Sequence, residues 1–181
     1  MKHIILRGPR GVGKSTLIRR LLEAAGANAG GFLTKKADPD ADGVTQIHIY
    51  PASLPEAQRR PAEGRCIGAC RAGRMLYRRA ETFDTLGVEY LNDTAGRNVL
   101  VMDELGFMES EALAFQQALL RALDGELPVL AAVKDKEVPF LREVCAHPNA
   151  IVRDITPDNR DALFDELLPL LNQAIAQYAT P

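Results

Sequence analysis

Two short runs of this 181-residue chain carry residue types suited to handling a phosphate chain. The first is Gly8-Pro9-Arg10-Gly11-Val12-Gly13-Lys14-Ser15-Thr16, in which G-x-x-x-x-G-K-S follows the apolar run Ile4-Ile5-Leu6 and leads into Leu17-Ile18. This is the phosphate-binding P-loop pattern between a strand and a helix. Glycines let the backbone curl so that its N–H groups converge on phosphate oxygens, and the following helix turns its positive end to the same anion. The pattern assigns Lys14 to the β- and γ-phosphates and Ser15 to Mg²⁺. The second run is Asn98-Val99-Leu100-Val101-Met102-Asp103-Glu104, an apolar strand that delivers two carboxylates to its C-terminal end. Such ends border the crevice in which α/β sheets bind ligands. Asp103 fits the acid that holds Mg²⁺ together with Ser15, and Glu104 fits the residue that polarises a water in line with the γ-phosphate.

The elements that must position these residues follow from periodicity. Residues 2–7 form a buried first strand, and Leu17, Ile18, Leu21 and Leu22 recur at helical spacing up to Gly26. Gly30–Thr34 and Val44–Tyr50 are strands joined by a turn with Asp42-Gly43 at its tip. The turn residues imitate the opening of a calcium loop, but Ile49 stands where a bidentate Glu is required. Pro51 to Pro61 is a loop. Arg59, Arg60, Arg65, Arg71, Arg74, Arg78 and Arg79 crowd the next stretch, which fits a solvated strand edge better than a phosphate-facing lid or a surface for an acidic partner. Met75–Tyr77 is a short strand within it, and Phe83, Leu86, Tyr90 and Leu91 mark a helix from Glu81.

Beyond the second run, Ser110 is expected to cap a helix reaching Asp124, and 128–133 is another buried strand whose exit brings Lys134 toward the phosphates. A helix over 138–145, a strand over 150–153 and a final helix complete the chain. Thr156 is the expected cap of that last helix with Pro157 at its first position, Phe164, Leu168, Leu171, Ile175 and Tyr178 on its packed face, and a kink or break at Pro169. Alternating strands and helices call for one α/β domain, 1–181, with a mostly parallel sheet, helices on both faces and a β-hairpin extension.

Composition sets the class. A hydrophobic share of 46%, a charged share of 25% and a net charge of −2 suit a globular protein and argue against dedicated nucleic-acid binding. No apolar run is long enough to span a bilayer and the N-terminus does not resemble a signal peptide, so a cytoplasmic location is expected. Cys66, Cys70 and Cys145 are expected to be free thiols, since no second ligand pair accompanies the C-x-x-x-C spacing.

Four segments together resemble the small P-loop nucleoside-triphosphatases, the family of the cancer-related nucleoside-triphosphatase and its thermophilic homologues. They are Gly8 to Thr16, Gly31-Phe32-Leu33-Thr34, Val101 to Glu109 and Ile155 to Arg160. The resemblance implies a RecA-like sheet in which another strand separates those bearing the two Walker motifs. It also implies Mg²⁺-dependent hydrolysis of ATP, GTP and other nucleoside triphosphates, slow and with little base preference. Gly8, Pro9, Arg10, Gly11, Val12, Gly13, Lys14, Ser15 and Thr16 would bind the nucleotide, Ser15 and Asp103 the metal, and Lys14 and Glu104 would act in catalysis. Thr34 and Glu109 are candidates for supporting positions, and Asn159 and Arg160 for bordering the base or ribose or starting a helix. The chain departs from the family at Arg10, at Lys35-Lys36 after Gly-Phe-x-Thr, and at Ala131-Ala132-Val133, where a Thr is common. A nucleotide or small-molecule kinase and a nucleotide-dependent switch use the same loop and stand as alternatives.

Overall fold

In a computed structural model that describes residues 2–179, the apolar runs assemble into one eight-stranded sheet. Residues 1, 180 and 181 of the expected domain lie outside the described residues. The order along the chain is β1 (His3–Gly8), α1 (Lys14–Ala24), β2 (Ala29–Lys36), β3 (Val44–Pro51), β4 (Cys66–Arg71) and β5 (Arg74–Arg78). Next come α2 (Ala80–Thr82) and α3 (Val88–Leu91), joined by a π turn over Phe83–Gly87. β6 (Val99–Leu105), α4 (Leu113–Asp124), β7 (Val129–Lys134), α5 (Pro139–Cys145), β8 (Ala150–Asp154) and α6 (Arg160–Ala179) follow.

Strand order across the sheet is β5-β4-β3-β2-β6-β7-β1-β8. β2, β6, β7, β1 and β8 pair in parallel, while β2 to β5 form an antiparallel meander. β7 therefore separates the strand bearing the phosphate loop from the strand bearing Asp103 and Glu104, as the family resemblance implies.

Alternation along the strands divides the core between the two faces. Val99 and Val101 on β6, with Ile4 and Leu6 on β1, pack under α1 and α6 through Leu17, Leu21, Leu163 and Leu167. Leu100 and Met102, one residue out of phase, pack with Phe115 and Leu119 of α4 and Phe140 and Val144 of α5 on the other face. The seam between the two halves is tight. At Gly31, φ is +87° and an added Cβ would lie 2.1 Å from the Val101 carbonyl oxygen, so only glycine lets β2 approach β6 there.

Several sequence expectations change. Cys66–Arg71 is a buried strand, so the hairpin extension is four strands wide; its small residues Gly68 and Ala69 give it no alternating pattern. Ser110 does not cap α4. The hydroxyl of Ser110 donates to the Phe107 carbonyl, and the helix begins at Leu113 with Asp84 accepting from the Phe115 N–H at 2.9 Å, a cap supplied by a different segment. Thr156 likewise does not cap α6. Among the described residues, no side-chain bond from Thr156 reaches the helix; the Asn159 carbonyl accepts the first helical bond, from the Leu163 N–H, while its side chain accepts from the Thr156 N–H ahead of the helix. α6 then runs without a break through Pro169, because Leu163, Leu167, Leu171 and Ala174 hold both sides of the proline on the core. Its packed face is accordingly rotated from the expected one, leaving Tyr178 exposed.

Among the described residues, Cys66, Cys70 and Cys145 are free thiols. No helix among them is long and apolar enough to cross a membrane.

Candidate active site

The loop after β1 folds as its sequence demands. Gly11 and Gly13 have φ of +79° and +107°, and the Gly13 carbonyl accepts the first helical bond, from the Leu17 N–H at 2.9 Å. α1 thus begins at Lys14 with its N–H groups facing the cavity above the loop.

Lys14 is nearly inaccessible, and its ammonium is fully engaged. It donates to the carbonyls of Gly8 at 2.7 Å and Pro9 at 2.8 Å and pairs with Glu104 Oε1 at 2.8 Å. The other oxygen of Glu104 lies 3.3 Å from Lys134 Nζ, so the carboxylate bridges two lysines. A buried cation without such partners would be costly, which accounts for the density of bonds. The expectation that Lys134 comes to the phosphate edge of the sheet is met, by way of Glu104.

Asp103 turns to a different partner. Ser15 Oγ donates to its Oδ1 at 2.9 Å. β6 pairs Asp103 with Ala132 and Leu105 with Val133, skipping Glu104, and this irregularity sends the two successive carboxylates to different neighbours. Burial pushes the Asp103 carboxyl up to about 6; the Ser15 hydrogen bond opposes the rise and the adjacent Glu104 charge adds to it.

The segment after β6 is held from within. Buried Glu109 accepts from the Gly106 N–H, and burial raises its carboxyl from the usual range. Gln116 fixes the same turn by donating to the carbonyls of Glu109 at 2.8 Å and Ser110 at 3.0 Å. Gly106 in turn lies so close to Lys134 that an added Cβ would sit 2.9 Å from its Cδ. Glu109 therefore supports the Lys134–Glu104 contact from one layer behind.

Two cavities meet at the loop. One, of about 310 Å³, is bordered by Gly11, Gly13, Lys14, Glu104 and Lys134 and also takes in Arg10 and Thr34. The other, of about 350 Å³, holds Asp103 with Ser15, Thr16, Arg59 and Glu56. Arg59 was not separable from its neighbours by sequence, since the 51–61 loop has no periodicity. The fold singles it out: its Nε donates to the Leu54 carbonyl at 2.8 Å, and its guanidinium faces the Asp103 side of the loop, where burial lowers its pKa despite the acids nearby. Arg160 packs against Gly13, where an added Cβ would lie 2.9 Å from its Cδ, so it flanks the loop, while Asn159 stands at the start of the helix.

This arrangement can do three things. It can cradle a phosphate chain on backbone amides and Lys14, it can offer hydroxyl and carboxylate oxygens to a hard cation at Ser15 and Asp103, and it can hold a nucleophile at Glu104.

Known proteins resemble the chain in sequence and in fold. Residues 3–168 match the family described as NTPase. The nucleoside-triphosphatase THEP1 of Aquifex aeolicus is 26% identical, with 94% of this chain and 99% of that protein covered. The human cancer-related nucleoside-triphosphatase is 26% identical over 92% of this chain and 95% of its own length. The crystal structure of the Aquifex protein superposes with a TM-score of 0.72, covering 93% of this chain and 98% of that one. The solution structure of the human protein gives a TM-score of 0.66, covering 96% and 98%. With the family match spanning residues 3–168, most of its length, the chain belongs to the NTPase family.

Proposed function

We propose that this chain, acting as one domain, hydrolyses ATP, GTP and other nucleoside triphosphates to the diphosphate and inorganic phosphate with the help of Mg²⁺. The observation that carries the reading is the division of labour at one strand end: Asp103 bonds Ser15 while Glu104 bonds Lys14.

The amides from Gly8 to Thr16 and the Lys14 ammonium bind the phosphates. Ser15 and Asp103 supply hard oxygens 2.9 Å apart, a donor set that would suit Mg²⁺. A Mg²⁺ ion held by Ser15 and Asp103 would supply charge neutralisation to the phosphates. When Lys14 turns to the phosphates, Glu104 is freed from one of its two lysines to orient a water and take its proton. The water oxygen bonds to the γ-phosphorus as the bond to the β–γ bridging oxygen breaks. Slow turnover is expected, because Glu104 must leave a lysine before it can act as a base. Broad base tolerance is expected because the loop's contacts are with phosphates, and the relatives' names specify no base.

Phosphate release from ATP and GTP, with Mg²⁺ and with a chelator, tests the reading. Chelation is expected to abolish release, and Glu104→Gln to lower it by about 10² to 10⁴ while nucleotide still binds. Undiminished release in Glu104→Gln overturns the base assignment, and release indifferent to chelator overturns the metal requirement.

A further inference from the structure

The cavity that contains Glu104 does not end at the phosphate loop. It continues to Ile47 on β3 and Ile67 on β4, which stand two and three strands beyond β6 on the side away from β1. At a strand spacing of about 4.8 Å, β4 lies about 14 Å past the strand that carries the two carboxylates. The loop's other flank is taken by Arg160, so a triphosphate on Lys14 presents its reacting end to Glu104, and the far part of the cavity lies beyond that end. A single attacking water needs no such space.

The far part has its own chemistry. Ile47, Ile67, Phe83 and Met108 make an apolar, buried floor. Lys36 borders it, and its ammonium has a weak partner, the Cys70 thiol at 3.3 Å, in contrast to Lys35, which pairs with Glu56. Among the described residues Lys36 forms no ion pair. An apolar floor edged by an under-partnered cation fits a small organic anion with a hydrocarbon body.

We propose that this part of the cavity binds a small hydroxycarboxylate with its carboxylate and hydroxyl at opposite ends of a hydrocarbon body, whose hydroxyl takes the γ-phosphoryl group in place of water. The inference rests on the hydrolytic reading of the same site. The carboxylate lies at Lys36, the hydrocarbon body on the floor, and the hydroxyl at Glu104. The acceptor oxygen bonds to the γ-phosphorus, the bond from that phosphorus to the β–γ bridging oxygen breaks, Glu104 takes the hydroxyl proton and passes it to solvent, and the diphosphate leaves. Hydrolysis is then the reaction that occurs when the far part holds only water.

The test uses the full chain with Mg²⁺, γ-labelled ATP, and 4-hydroxybutyrate, 6-hydroxyhexanoate or 8-hydroxyoctanoate as probes. A labelled phosphoester and a saturable fall in phosphate release are expected, stronger with the two longer acids than with 4-hydroxybutyrate, whose ends lie too close together to reach both Lys36 and Glu104. Lys36→Glu is expected to weaken the apparent affinity for 6-hydroxyhexanoate about tenfold or more, with phosphate release in the absence of acid within about twofold of the parent. Ile67→Trp, which fills the floor, is expected to weaken 8-hydroxyoctanoate more than 4-hydroxybutyrate. No ester from any probe, inhibition without ester, or an undiminished effect in Lys36→Glu overturns the proposal. If the unmodified chain releases no phosphate without acid, the hydrolytic reading fails instead.

Discussion

In the parallel half of the sheet, β6, β7 and β1 are covered on both faces and their apolar runs end in the residues that line the two cavities at the loop, among them Lys14, Ser15, Asp103, Glu104 and Lys134. In the antiparallel half, β3 and β4 are buried but β5 is an exposed edge carrying Arg74 and Arg78, and the cavity lining drawn from β3 and β4 is mainly apolar. The parallel half concentrates charge at strand ends because crossover helices leave only those ends free. The meander needs no crossovers, so it can spread an apolar surface beside the same cavity. Chemistry and shape therefore come from different halves, joined at the β2–β6 seam.

The sharpest way to break the comparison is to strip charge from the parallel half. Lys14→Ala is expected to abolish measurable hydrolysis, and Glu104→Gln to cost about 10² to 10⁴ in rate with nucleotide binding kept, both read by phosphate release and nucleotide titration. The seam is the next target. Gly31→Ala must push its Cβ away from the Val101 carbonyl and adopt a positive φ, so destabilisation of about 3 kcal/mol or more is expected by urea unfolding.

Glu109→Ala removes the acceptor of the Gly106 N–H and is expected to cost about 1–3 kcal/mol in the same experiment. It should also lower the rate more than an equally destabilising core change, since Gly106 abuts Lys134.

Two titrations in the parallel half carry opposite signs. Asp103 rises from 3.8 to about 6 on folding, so the folded state holds the extra proton and stability falls as pH climbs through that range. Asp103→Asn is expected to raise the melting temperature of the nucleotide-free protein at neutral pH by about 2–4 °C while abolishing metal-dependent activity. Apparent Mg²⁺ affinity should fall as pH drops through about 6. His3 behaves oppositely. Its ring accepts from the Val129 N–H and meets the Leu123 carbonyl at 2.8 Å, and burial lowers its pKa from 6.5 to about 4, so its contribution is lost as pH falls through that window. His3→Gln should flatten this dependence in melts taken across the same pH range. The smallest effect is expected at the far edge: Arg78→Ala breaks the exposed pair with Glu111 and should change stability by less than about 1 kcal/mol.

Legibility divided along the same line. The parallel strands announce themselves as unbroken apolar runs, and the phosphate loop needs residue types that rarely coincide by chance. β4 was illegible because Cys66-Ile67-Gly68-Ala69-Cys70 is buried at every position and owes its place to neighbours on both sides. Helix starts were misread where the cap came from afar: Asp84 serves α4 across a gap in sequence that no local pattern spans. The family resemblance over Val101 to Glu109 pointed to Glu109 as a supporting position and included Gly106, but not the hydrogen bond between the two.

The amino-acid sequence alone determined that a loop of the phosphate-binding pattern stands between β1 and α1 and that two carboxylates arrive at a second strand end, because both depend on residues adjacent in the chain. Only the tertiary structure decided that Asp103 serves Ser15 while Glu104 bridges Lys14 and Lys134, that Arg59 rather than its many neighbours reaches the Asp103 side, and that the cavity continues over β3 and β4. Those outcomes rest on strand order, a skipped residue in the β6 pairing and side chains separated by dozens of positions, which periodicity and spacing do not encode.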